Sequence, residues 1–247
     1  DHAELRDRTT RCFTRWRSLM PPPYGVLPSR TARYAVPSMI GILTLHLVAA
    51  AGAPVLVRLL DRRAFVVLAL VPAASFAYLL PRALDVTGGG APVVESWTWI
   101  PSLGVDVDLR LDPLIALMSL VVTGVGALVL LYCGWYFRAG DPEIWRFSGV
   151  LTAFAGSMLG LVLSDNMYVL FVFWELTTVL SYLLIGHNPE RRANRRAAMN
   201  ALLVTTFGGL AMLVGLFVLH AQTGTARLSE IVADPPSGPA VTAAVAL

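Results

Sequence analysis

Long uncharged apolar runs alternate along this chain with short breaks that carry arginine or acidic residues. A helix that crosses a bilayer needs about 20 mostly apolar residues at about 1.5 Å rise each. Six runs meet that requirement: residues 38–57, 64–80, 113–132, 147–163, 167–186 and 197–220. Asp112 followed by Pro113 marks the start of the third, because proline fits the first helical turn and lacks the N–H that would go unpaired there. Ser164, Asp165 and Asn166 separate the fourth from the fifth, with Asp165 the candidate N-cap of the fifth helix and, as the lesser reading, a point of ion access. Between the second and third runs the period changes. Val105, Val107, Leu109 and Leu111 alternate with Asp106, Asp108 and Arg110, and the stretch VVESWTWI precedes them across residues 101–104. A period of two predicts a β-hairpin near residues 93–111. Open strand edges cannot face lipid, so the hairpin belongs on an aqueous face, with Trp97 and Trp99 at the interface.

Composition identifies the solvent. Hydrophobic residues make up 56% of the 247 and charged ones 14%, with a mean hydropathy of +0.65, whereas a soluble domain carries about 25% charge. The fold class is therefore an all-α integral membrane protein of about six transmembrane helices with one extracytoplasmic β-hairpin. A disordered chain and a nucleic-acid binder are excluded, although the net charge of +3 alone would allow the second. Topology accounts for the basicity instead. The loops after the first, third and fifth helices hold Arg58, Arg62, Arg63, Arg138, Arg146, Arg191, Arg192, Arg195 and Arg196, against Arg82, Arg110 and Arg227 on the other side. Short arginine-rich loops stay cytoplasmic, which turns the hairpin outward. Residues 1–38 break this rule with seven more arginines on the outer side. They are expected to be an extension or a misassigned start, with translation beginning at Met39 and the membrane domain occupying 39–247. Residues 237–247 read as the first turns of a seventh helix, so the chain is expected to be a fragment.

One ionisable residue interrupts the fifth run. Glu175 is its ninth residue, close to the bilayer midplane. An acidic side chain there costs about 2.5 to 3.5 kcal/mol on insertion scales, so it is expected to face the bundle interior or a wet cavity. Burial favours the protonated form of a carboxyl, and a carboxyl so poised can load and release a proton. Phe171, Thr178, Val179 and Tyr182 share its helical face, which makes Thr178 and Tyr182 candidates to supply hydroxyls or hold water. A structural carboxylate, paired or permanently neutral, is the plainer alternative. His46 lies mid-span in the first helix and is a weaker candidate for proton conduction, since a lone intramembrane histidine is more often hydrogen-bonded to a neighbouring helix. His187 and His220 stand at helix ends. Gly149, Ala153, Gly156 and Gly160 form a small-residue stripe suited to close helix packing, Pro54 and Pro72 are candidate bends, and Gly208 with Gly209 marks either a distortion or ordinary packing. Cys12 and Cys133 alone support no disulfide framework and no four-ligand metal site. HExxH, GxGxxG, Walker and CxxC signatures are missing, so no cofactor and no metal is expected.

The run SDNMYVLFVFWELTTVLSYLLIGH (164–187) closely resembles the fourth-to-fifth helix region of the antiporter-like proteins of Mrp cation/proton antiporters and respiratory complex I. LRLDPLIALMSLVVTGVGALVLLYCGWYF (109–137), FAGSMLGLVL (154–163) and NALLVTTFGGLAMLVG (200–215) extend the likeness from about residue 39 to the end. Within that superfamily, TGT and LSEI (223–231) look most like the large A subunits of the Mrp branch. The resemblance implies that Glu175, the glutamate of the WEL triplet, belongs to a proton path. It further implies a partner lysine on the seventh helix, yet all 19 basic residues here are arginine, so the chain is expected to stop short of it. The implied function is that of a subunit of a multisubunit Na⁺/H⁺ antiporter in a bacterial inner membrane, a secondary transporter rather than an enzyme. Its partners would be other subunits, protons, Na⁺ or another monovalent cation, and lipid. The rivals are a proton-translocating subunit of an NADH:quinone oxidoreductase and a non-transporting scaffold that docks helices through the stripe.

Overall fold

The computed structural model describes residues 38–100, 105–188 and 190–246, so the leader, with the start expected at Met39, and the hairpin turn fall on or beside residues that are not described. Its elements are α1 (Met39–Leu60), α2 (Ala64–Thr87), β1 (Val93–Ile100), β2 (Val105–Leu111), α3 (Pro113–Tyr136), α4 (Ile144–Leu163), α5 (Met167–Ile185), α6 (Arg192–Thr223), α7 (Leu228–Ala233) and α8 (Pro239–Ala246). Among the described residues five stretches are long and apolar enough to cross a membrane, the first of them 49 residues from Met39 to Thr87. A 3-10 turn at Asp61–Arg63 divides that stretch into α1 and α2.

Two apolar clusters fix the directions of the helices. One holds Met39 and Ile42 of α1, Leu79 and Val86 of α2, Ala116 of α3 and Leu159 and Leu163 of α4, together with Leu109 and Leu111 of β2. The other holds Ala53, Phe65, Leu68, Leu130, Cys133 and Ile144. Each of the four helices therefore begins in one cluster and ends in the other, so consecutive helices are antiparallel. Outward surfaces are apolar as well, with Leu59, Val204 and Phe207 among the most exposed large apolar side chains. In lipid such exposure is no penalty, and helices associate through close packing and small residues.

α4 supplies that closeness. A Cβ on Gly149 would lie 3.0 Å from the Ala50 carbonyl of α1, and one on Gly156 would lie 2.6 Å from the His46 Cβ. Pro54 explains the first contact: it has no N–H to give the Ala50 carbonyl, and a bare glycine backbone moves in beside that freed oxygen. Buried hydroxyls are mostly spent on their own helices. Thr123 donates to the Ser119 carbonyl at 2.7 Å, Thr152 to Ser148 at 2.9 Å and Ser164 to Gly160 at 2.7 Å.

The hairpin is antiparallel, with Trp97 opposite Val107 and Ser96 opposite Asp108. It is bolted to the bundle. The Glu95 carboxylate accepts the Met39 and Ile40 N–H groups at 2.9 and 3.3 Å, capping the N-terminus of α1 beside Ser38. The cap of α5 differs from expectation: Asn166, not Asp165, accepts the Tyr168 N–H at 3.0 Å. Asp165 is buried and turned toward α7, where it accepts the Ser229 N–H at 2.8 Å and its hydroxyl at 2.6 Å.

Candidate functional site

Glu175 is the ninth of the 19 residues of α5, so its side chain leaves the helix near its middle. α6 returns antiparallel beside it. Gly186 packs near Ala198, and eleven residues back along α5 and eleven on along α6 bring Glu175 to Gly209. Eleven residues are about three turns, so both positions recur on the facing sides. At the far end Tyr168 meets Phe217 and His220, each with ring centroids 5.6 Å apart.

At the centre of this seam the Glu175 Oε1 lies in the space that a side chain on residue 209 would need. The Glu175 Cδ would be 3.3 Å from a Cβ built there, and the Trp174 Nε1 3.5 Å. Oε1 is buried and has no hydrogen-bond partner among the described residues. Native structures leave few such groups, and each asks for an explanation, because a buried acceptor without a donor costs about 1 to 3 kcal/mol. The residue as a whole is only half-buried, so the carboxyl is not sealed in place. Thr178 is buried and Tyr182 half-buried on the same helix, while Thr177 spends its hydroxyl on the Trp174 carbonyl at 2.7 Å. Gly209 is the residue that sequence reading left undecided. Its signal was the antiparallel register of α5 and α6, which sets it opposite the glutamate.

Comparison with known proteins places this seam. The family described as NADH:quinone oxidoreductase/Mrp antiporter, TM, matches residues 164–242, which include Glu175 and Gly209. The family described as NADH-Ubiquinone oxidoreductase (complex I), chain 5 N-terminus, matches residues 97–148. The A subunit of the Na(+)/H(+) antiporter of Alkalihalophilus pseudofirmus is 39% identical over 163 residues, 66% of this chain and 20% of that protein. A chain of the Mrp complex from Dietzia sp. DQ12-45-1b superposes with a TM-score of 0.74 at 36% identity, covering 84% of this chain and 22% of that one. Its fold is the antiporter-like helix bundle. Respiratory complex I from Thermus thermophilus shares that fold, with a TM-score of 0.65 at 24% identity over 84% of this chain and 41% of that one. The antiporter-like chain is a multi-pass bacterial membrane protein, and it spans about a fifth of the length of the Alkalihalophilus relative.

The other candidates in this antiporter-like bundle sit elsewhere. His46 is 1% exposed and lies on the α1–α4 seam, where its Nδ1–H donates to the Ile42 carbonyl at 2.8 Å and Nε2 has no partner among the described residues. It edges a cavity of about 260 Å³ with Thr44, Ser157, Phe173 and Leu176, which Glu175 does not line. His187 packs its ring against Phe137 and Phe147 at the opposite end from the hairpin. At the hairpin end Arg227 places Nε and Nη2 each 3.1 Å from the Asp108 carboxylate, to which Ser96 also donates at 2.5 Å. The Asp108 hydrogen bonds hold the Arg227 guanidinium above the ordinary arginine range. That contribution is present while the guanidinium is charged and Asp108 ionised, and on the arginine side it is lost only on rising through a strongly alkaline value, so the guanidinium keeps its charge in the physiological range. The Arg227–Asp108 clamp ties the segment after α6 to β2, and the Met167 N–H, donating to the Ala226 carbonyl at 2.9 Å, ties the start of α5 to that same segment. Among the described residues no cluster of histidine, cysteine or carboxylates could hold a metal ion.

Proposed function

We propose that the intact protein is a subunit of a hetero-oligomeric antiporter that exchanges cytoplasmic Na⁺ or another monovalent cation for external protons, with Glu175 as a protonatable relay. The observation that carries the reading is the mid-span Glu175 carboxyl, whose Oε1 is buried without a donor among the described residues, on a helix inside the family match. Intramembrane carboxyls that face a bundle interior are the usual elements of proton relays. Thr178 and Tyr182 are placed to hold water or hydroxyl donors beside it. His46 stays a second, lesser relay candidate, because its packing accounts for its burial without any proton traffic. The relatives are named as antiporter subunits, which supports other subunits as partners here. The arginine-rich end faces the cytoplasm and the hairpin end the outside.

A proton-translocating subunit of a complex I-like oxidoreductase is the second reading, favoured by the complex I names of the matching families. One experiment addresses the relay in either setting. Glu175→Gln in the intact assembly, reconstituted in vesicles, is expected to assemble normally and to lose Na⁺-driven proton movement. Unchanged antiport in fully assembled E175Q complex would remove the glutamate from the mechanism. Proton movement that needs electron transfer and ignores a Na⁺ gradient would select the second reading.

A further inference from the structure

We propose that Gly209 is the positioning residue for the relay carboxyl: its missing side chain is the notch in which Glu175 parks one oxygen out of reach of water. This rests on Glu175 being the relay. Glu175 Oε1 occupies the place a Cβ would take on residue 209, and it is buried with no hydrogen-bond partner among the described residues. The neighbouring glycine provides a contrast within the same turn of α6. A Cβ on Gly208 would meet nothing within 4 Å. Both residues weaken a helix to the same degree, so helix propensity does not distinguish them. Only the second admits the carboxyl.

The contact is made by the far end of a flexible side chain. An added methyl at 209 therefore pushes the carboxyl out of the seam without forcing the two backbones apart, whereas a glycine that meets a Cβ or a backbone oxygen has no such relief. With the notch open, the Gly209 Cα hydrogen faces Oε1, a contact too weak to fix the carboxyl permanently. The side chain can thus rest dry in the notch and rotate away from it to exchange its proton. Gly209 sets one end of that swing.

The test is made in the intact antiporter assembly, with antiport per assembled complex as the readout. Gly209→Ala is expected to slow antiport roughly tenfold to a hundredfold, the scale of a misplacement of about 1 Å, while Gly208→Ala changes it by less than about twofold. Shortening the acid by one methylene in the doubly substituted E175D/G209A complex makes room beside the new methyl and is expected to recover at least about threefold over G209A alone. A merely structural glycine would give no such rescue. G209A with normal antiport, or G208A as impaired as G209A, overturns the proposal. Should G209A fail to assemble, recovery of assembly in E175A/G209A supports the contact, and failure in both overturns it. E175Q separates the two levels: if it transports normally the relay reading falls, and if it is inactive while G209A is normal only the notch falls.

Discussion

Two seams in this bundle each press a titratable side chain against a glycine, and they are built in opposite ways. At the α1–α4 seam Gly156 meets His46 at its root, since a Cβ there would be 2.6 Å from the His46 Cβ. The imidazole is fully buried and tied to its own helix through Ile42. At the α5–α6 seam Gly209 meets Glu175 at its tip, and the residue keeps a half-exposed side. Each seam leaves one polar atom without a partner among the described residues, His46 Nε2 and Glu175 Oε1. Burial of a polar group therefore does not separate scaffolding from chemistry here. On the proposed reading what would separate them is whether the group can leave its contact without moving a backbone, and of the two only the Glu175 contact is made by a side-chain tip.

The largest effect is expected where the contact is reversible. Glu175→Gln keeps size and polarity and removes the titratable proton, so antiport should fall by about a hundredfold or more, in line with losing a proton-transfer group, while thermal stability stays within about 0.5 kcal/mol. The opposite pattern is expected at the other seam. Gly156→Ala drives a methyl into the His46 Cβ, a root that no rotamer change can move, and should destabilise the assembled protein by about 1 to 3 kcal/mol. Antiport per surviving complex should be little changed. Differential scanning of the two variants beside vesicle assays checks both halves; a G156A complex of full stability would show that the α1–α4 seam is as loose as the α5–α6 one.

Much of this arrangement was legible in one dimension. The apolar runs locate the spanning helices, Asp112 accepts the Ile115 N–H at 3.0 Å at the start of α3 as its Asp-Pro pair implies, and the alternation over 105–111 forms β2. A lone acid in an apolar run marked Glu175. The helix ends were less legible. α2 continues past Arg82 because that guanidinium donates to its own Tyr78 carbonyl at 2.8 Å and stacks on the Tyr78 ring, so the charge need not end the helix. α6 begins at Arg192 because its arginine-rich first turn is helical, although it reads as loop by hydropathy. Asp165 does not cap α5 for a tertiary reason: Ser229, 64 residues onward, takes its carboxylate for α7. The notch at Gly209 depends on the register of α5 against α6, and spacing within one helix cannot supply that.

A third test asks whether the hairpin-end clamp holds the junction of α6 and α7 against β2. Arg227→Ala removes two donors from Asp108, whose side chain is 4% exposed, and leaves Ser96 as its partner. A buried carboxylate that loses its donors costs about 1 to 3 kcal/mol, and the 44% exposure of Arg227 puts the effect toward the lower end. The loss should appear in thermal unfolding and as faster amide exchange at the junction of α6 and α7. Substituting Asp108 by Asn, which keeps one acceptor for the guanidinium, should lose less. If R227A leaves exchange at that junction unchanged, the clamp does not hold it.

The smallest effect is expected for His46→Asn. The asparagine amide can reproduce the Nδ1–H bond to the Ile42 carbonyl, and no proton carrier remains at the position. Losing the rest of the ring leaves a small void beside Gly156 and the existing cavity, worth about 1 kcal/mol of stability. Antiport should stay within about twofold of the unsubstituted protein, a change typical of positions outside the reacting groups. The comparison is sharp because H46N and E175Q make the same chemical change, a titratable group to an amide, at the middle of two adjacent seams. If H46N instead stops proton movement as fully as E175Q, His46 is a second relay, its tight packing is a gate and not a scaffold, and the distinction between a contact at the root and a contact at the tip no longer predicts which buried group carries protons.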